Sequence, residues 1–83
     1  MDLSFSEHAR HVVKMRRIQY EWIDSILEKP DLREPDPKDA ELERFYGEIP
    51  EFEDRILRVV VNTKLAPWRI VSVFFDRRMK GKL

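Results

Sequence analysis

Two hydrophobic periods divide the 83-residue chain. From Glu7 to Arg16 no Gly or Pro interrupts, and Ala9, Val12, Val13 and Arg16 fall at helical spacing. Ser6 precedes them as an N-cap whose hydroxyl suits the free N–H groups of the first turn, and Glu7 suits the positive helix start. Arg17-Ile18-Gln19 reads as a tight turn. A second helix, Tyr20 to Lys29, sets Trp22, Ile23, Ile26 and Leu27 on one face, and Pro30 ends it. The pattern predicts two short antiparallel helices.

The rest follows the shorter period. Asp2 to Phe5 suits a short strand. The segment PDLREPDPKDAE is an extended connector with an edge strand at Leu32 to Glu34. Residues 37–49 accept either period. Leu42, Phe45, Tyr46 and Ile49 fit a helix, or an aromatic strand with Gly47 at a bulge and Pro50 to Asp54 as a turn. The strand is preferred because the next segment needs a partner. That segment, Arg55 to Asn62, is β-branched. Trp68 to Asp76 is the clearest strand. Strict alternation puts Trp68, Ile70, Ser72, Phe74 and Asp76 on one face, and both faces are largely apolar, as in a covered central strand. The expected fold is α+β: two short N-terminal helices packed on one face of an antiparallel sheet of three to four strands. Residues 1–83 form a single domain and 77–83 a basic C-terminal tail. The uncovered sheet face would be a groove with basic ends.

Composition narrows the chemistry. A chain this short has a thin core, so most large apolar residues must be structural. The lack of cysteine excludes disulfides and thiolate chemistry. Neither a signal-peptide pattern nor a bilayer-length apolar run is present, which predicts a cytoplasmic protein with no membrane partner. Zero net charge hides segregation: residues 1–19 carry +2, residues 20–54 carry −9 and residues 55–83 carry +7. A basic surface opposite an acidic one would suit a phosphate backbone, or the segments could simply attract one another.

Strong motifs are absent. With two glycines there is no Gly-rich phosphate loop. His8 and His11 lie at i, i+3, but no carboxylate is placed to complete a metal site, so no metal or cofactor is expected. His8 sits at a helix start, where the dipole favours neutral imidazole and base chemistry. On the residues alone the ordinary exposed or capping-region histidine is the preferred reading. Arg58, mid-strand between apolar neighbours, must meet water, an acid or a bound anion. Arg44 and Tyr46 share a strand face, and Arg77 and Arg78 follow Asp76. An Arg/Tyr/His group around a groove could hold a phosphate and stabilise charge growing on it. The same arginines could pair with the thirteen acids of the middle segment. Trp68 and Phe74 could stack bases, or pack in a core or dimer interface.

The stretches FSEHA, Arg16-Arg17-Ile18, YEWIDSILEKPD, IPEF, RILRVVVN and VSVFFDRR, taken in order, resemble a small bacterial family of unknown function. Its members open with Phe/Tyr-Ser-x-His-Ala, and it looks related to the RelE/BrnT-type ribonuclease toxins. The resemblance covers about residues 3–79. It implies a metal-independent ribonuclease of toxin-like type, with RNA and a cognate antitoxin as partners and a homodimer as one assembly. The family histidine falls on His8, the helix-ending basic residue on Arg16, and the terminal basic group on Arg77 and Arg78. In the implied reaction His8 moves a proton, Arg58, Arg77 and Arg16 stabilise the phosphorane, and Tyr46 or water serves the other proton step. Arg16, Arg44, Arg78 and Lys80 would contact the RNA backbone. Relatives often carry Gly where this chain has Arg17, which requires a side chain in a left-handed turn. The alternative is a non-catalytic domain that binds protein or nucleic acid.

Overall fold

The computed structural model describes residues 2–83. Strand β1 (Leu3–Phe5) leads into helices α1 (Glu7–Met15) and α2 (Tyr20–Glu28). Strands β2 (Leu32–Pro35), β3 (Leu42–Ile49), β4 (Arg55–Asn62) and β5 (Trp68–Phe75) follow, with 3-10 turns at Pro50–Phe52 and Arg77–Met79. The ambiguous segment is therefore strand from Leu42 onward. Its helix-like spacing is a coincidence of two faces: Phe45 and Ile49 lie on one side of β3, Leu42 and Tyr46 on the other.

The α+β class holds, but the sheet is not the antiparallel one of three to four strands that periodicity suggests. It has five strands, in the order β1-β5-β4-β3-β2, and it is mixed. β2 to β5 form an antiparallel meander, while β1 runs parallel to β5, with Leu3 opposite Trp68 and Phe5 opposite Ile70. A three-residue strand carries no periodic signal that names its partner. Its place is fixed by Ser6, 65 residues from its partner Val71. The Ser6 N–H donates to the Ile70 carbonyl at 2.9 Å, and its hydroxyl donates to the Val71 carbonyl at 3.2 Å. The same hydroxyl accepts from the Ala9 N–H at 3.1 Å, capping α1.

Those two carbonyls belong to a β-bulge. Val60 pairs with Ser72 but Val61 pairs with Ile70, which leaves Val71 extra. Strict alternation on β5 therefore breaks. Ile70 and Val73 both face the helices, and Trp68 and Phe74 end on opposite faces. Trp68 packs on the core with its ring 5.7 Å from Phe45. Gly47 is not at a bulge; it stands in register opposite Leu57.

The core lies between the helices and one sheet face. Ala9, Val13, Ile18, Ile23, Ile26 and Leu27 meet Phe45, Ile49, Leu57, Val59, Val61, Ile70 and Val73. Gly47 allows α2 to approach β3: a Cβ there would stand 2.6 Å from Ile26 Cγ1. At the core margin, the Arg33 guanidinium covers the Phe45 ring at 4.7 Å and grips Glu43 through two bonds of 2.8 and 2.9 Å. Arg33, assisted by a 2.7 Å bond from the Thr63 hydroxyl, lowers the Glu43 pKa to about 2. Among the described residues, no helix is long and apolar enough to cross a membrane.

Gly47→Ala should lower stability by about 1–3 kcal/mol, because Ile26 is packed and cannot yield freely. A urea melt measures this, and an unchanged midpoint would contradict the close packing. The lowered Glu43 pKa means that its bond to Arg33 contributes above the ordinary value of 4.5 and is lost as pH falls towards about 2. The pair is partly exposed, so its contribution is at most about 1 kcal/mol. Melts between pH 5 and about 2 should show Glu43→Gln less stable at the upper end and less dependent on pH.

Candidate anion-binding site

The ends of three elements converge at one end of the sheet. α1 ends at Met15, β4 begins at Arg55 and β5 ends at Phe75. Between them lies a cavity of about 460 Å³ walled by Arg16, Arg17, Arg55 and Arg77. Val12, Met15, Phe52, Phe74 and Phe75 complete its lining, and no carboxylate lines it. Among the described residues none of the four arginines forms an ion pair.

Local structure positions each guanidinium. Arg55 rests over the Phe52 and Phe75 rings, at 5.0 and 5.4 Å, so its planar fork is held by cation–π contact rather than by an acid. Phe52 is backed in turn by Trp22, with ring centroids 5.7 Å apart. Arg17 follows α1 with φ 54°. The Arg17 N–H donates to the Lys14 carbonyl and the Ile18 N–H to the Val13 carbonyl, which is the paired closure of a Schellman turn. Glycine is the favoured residue there, and an arginine costs about 1 kcal/mol more. The left-handed turn expected at Arg17 is thus present, and its side chain reaches the cavity.

The sequence-derived residues divide between two places. Arg16 and Arg77 stand together in the cavity. Lys80 lines a smaller cavity that shares Arg55 and Arg77. Arg58 and Tyr46 lie on the opposite sheet face, in a row with Phe74. Of the three partners open to Arg58, it takes an acid: its Nη2 lies 3.3 Å from Asp76 Oδ2, and both side chains are over nine-tenths buried. The Phe74 ring stacks 4.1 Å from the guanidinium, and Nε has no partner. Arg78 also leans on Asp76, at 3.5 Å, and Arg44 pairs with Asp36 at 3.1 Å. The Tyr46 hydroxyl donates to Glu34 at 3.3 Å.

His8 is exposed on α1, one turn before Val12. His11 lines a groove with Val12, Met15 and Arg16, three residues that also wall the arginine cavity. Among the described residues no three His, Asp or Glu side chains gather in a metal-binding arrangement. Periodicity missed Arg17, Arg55, Phe52 and Phe75. Their only signal was position, since each flanks the end of a predicted element at a turn.

Asp76 links the two places. It holds Arg58 on the open face, and its Oδ1 accepts the Arg78 N–H at 3.1 Å, fixing the turn that carries Arg77. Asp76→Ala leaves Arg58 buried without an acid and should cost about 3–5 kcal/mol. Arg58→Met combined with Asp76→Ala should recover much of that loss in urea melts. Equal losses in the single and double variants would show that the buried charge is not the cause.

No curated protein matches this chain, and no solved structure does. A family model described as a domain of unknown function (DUF4258) matches residues 5–75, from the end of β1 to the end of β5. That span takes in both helices, the bulge and three of the four cavity arginines, and the chain accordingly belongs to the DUF4258 family.

Proposed function

We propose that this DUF4258 protein binds RNA at the arginine cavity and cleaves it without a metal, as a ribonuclease of the RelE/BrnT toxin type. The observation that carries the reading is the set of four arginines, unpaired among the described residues, around one cavity whose wall holds no acid. Such a set attracts a phosphodiester and stabilises the extra charge of a phosphorane.

In the reaction the 2′-oxygen bonds to the adjacent phosphorus and the bond to the 5′-oxygen breaks. The 2′-hydroxyl loses a proton and the leaving oxygen gains one. The products are a cyclic 2′,3′-phosphate and a 5′-hydroxyl. Arg16, Arg17, Arg55 and Arg77 hold the phosphoryl oxygens. His8 stands about 12 Å along α1 from Arg16, some two nucleotides of a bound strand, so it meets a flanking nucleotide, and water takes the 2′-hydroxyl proton at the phosphorus that the arginines hold. Tyr46 faces the other side of the sheet, so water protonates the leaving group. Arg58 is a positioning residue that acts through Asp76 on the turn bearing Arg77. In a cytoplasmic setting a cognate antitoxin would cover the arginines with an acidic segment.

A second reading, RNA binding without cleavage, is favoured by the separation of Tyr46 and Arg58 from the cavity. End-labelled single-stranded RNA distinguishes the two. Cleavage should yield cyclic phosphate ends, fall in His8→Ala by less than the roughly 100-fold that loss of a proton acceptor would cost, and vanish in Arg16→Ala/Arg77→Ala. Salt-dependent binding without products selects the second reading. Neither binding nor cleavage overturns both.

A further inference from the structure

The arginine cavity has a neighbour of opposite charge. A groove of about 640 Å³ lies where α2 faces the end of β3. Glu21, Asp31, Glu48 and Glu51 line it, and Lys29 is the single basic residue in that lining. The Asp31 carboxylate accepts the Glu48 N–H at 3.0 Å, which holds it beside the end of β3. Two rings separate groove and cavity. Trp22 lines the groove, Phe52 lines the arginine cavity, and the two rings stack at 5.7 Å.

Acid and base are thus close neighbours that do not meet. Among the described residues, neither the four carboxylates nor the four arginines form an ion pair. The attraction that charge segregation offers is therefore left unsatisfied at these groups within one molecule. The two surfaces are complementary to each other, and they lie side by side. A two-fold axis through the Trp22–Phe52 partition sets each groove against the arginine cavity of a second copy. The same contact is then made twice, so association closes at two chains instead of growing into a filament. Guanidinium forks and carboxylates suit bidentate pairing across such a contact. Met15 supplies an independent sign. It lines the arginine cavity and, at 65 %, is the most exposed large apolar side chain among the described residues. A second copy over the cavity would cover it.

We infer that this end of the molecule is the interface of a two-fold dimer, in which the groove carboxylates of each copy pair with Arg16, Arg17, Arg55 and Arg77 of the other. The second copy thereby contributes residues to the arginine cavity and closes it. RNA and the second copy then compete for the same guanidiniums. This competition, unlike the dimer itself, rests on the reading of the cavity as a phosphate site.

Light scattering behind a sizing column measures the mass. The unaltered protein should be a dimer at low salt and a monomer at about 0.5 M salt, where exposed pairs are screened. Glu48→Lys/Glu51→Lys turns acids of the groove basic, and Arg16→Glu/Arg77→Glu turns bases of the cavity acidic. Either change sets like charges against one another in both halves of the interface. Each variant alone should be monomeric at low salt and melt cooperatively. An equimolar mixture restores opposite charges and should regain the dimer mass. A monomer at low salt, a dimer that persists in either variant alone, or a mixture of folded variants that stays monomeric overturns the interface. Single-stranded RNA added to the unaltered dimer should release monomers, and RNA bound to an intact dimer overturns the competition. No RNA binding by the monomeric Glu48→Lys/Glu51→Lys variant overturns the phosphate reading and leaves the dimer standing.

Discussion

Ser6 makes four hydrogen bonds at the junction of β1, α1 and β5, its carbonyl accepting from the Arg10 N–H, and the layout of the molecule follows from them. Its N–H and hydroxyl satisfy the Ile70 and Val71 carbonyls at the bulge, while its oxygen caps the first turn of α1. A cap alone would start a helix without placing it. Anchored to β5, α1 runs along that strand and ends where β5 ends. Arg16 and Arg17 therefore arrive beside Arg55 and Arg77. The bulge is part of the same device, because the extra Val71 is what presents two successive carbonyls to one serine.

The distribution of charge follows from this placement. In the acidic middle of the chain, Arg33 and Arg44 find their partners close in sequence, Glu43 and Asp36. In the basic C-terminal segment one acid, Asp76, serves both Arg58 and Arg78. The remaining arginines at the converging ends form no ion pair among the described residues. Segregation in sequence thus becomes a cationic cavity in space, although the net charge is zero. The aromatic support of Arg55 and the left-handed turn at Arg17 keep these groups in place at some energetic cost.

Much of the fold was legible before the structure. The helix ends, the edge strand at Leu32, the strands over residues 55–62 and 68–76, and the α+β class all follow from apolar periods and from Ser6, Pro30 and the β-branched runs. The candidate site was legible only in part. Arg16 and Arg77 could be named from the resemblance, whereas Arg58 and Tyr46 could not be assigned a side of the sheet relative to them. The bulge made Trp68 and Phe74 unreadable as a pair, because a single extra residue reverses every later side chain.

Sequence by itself determined the local elements, the family and the segregation of charge, since each is carried by residues near one another along the chain. Tertiary structure decided the parallel pairing of β1, the partner of Arg58 and the meeting of four arginines from the ends of three elements. These depend on hydrogen bonds and contacts between residues tens of positions apart. No local period encodes them, because the free energy that selects them appears only when both ends are in place.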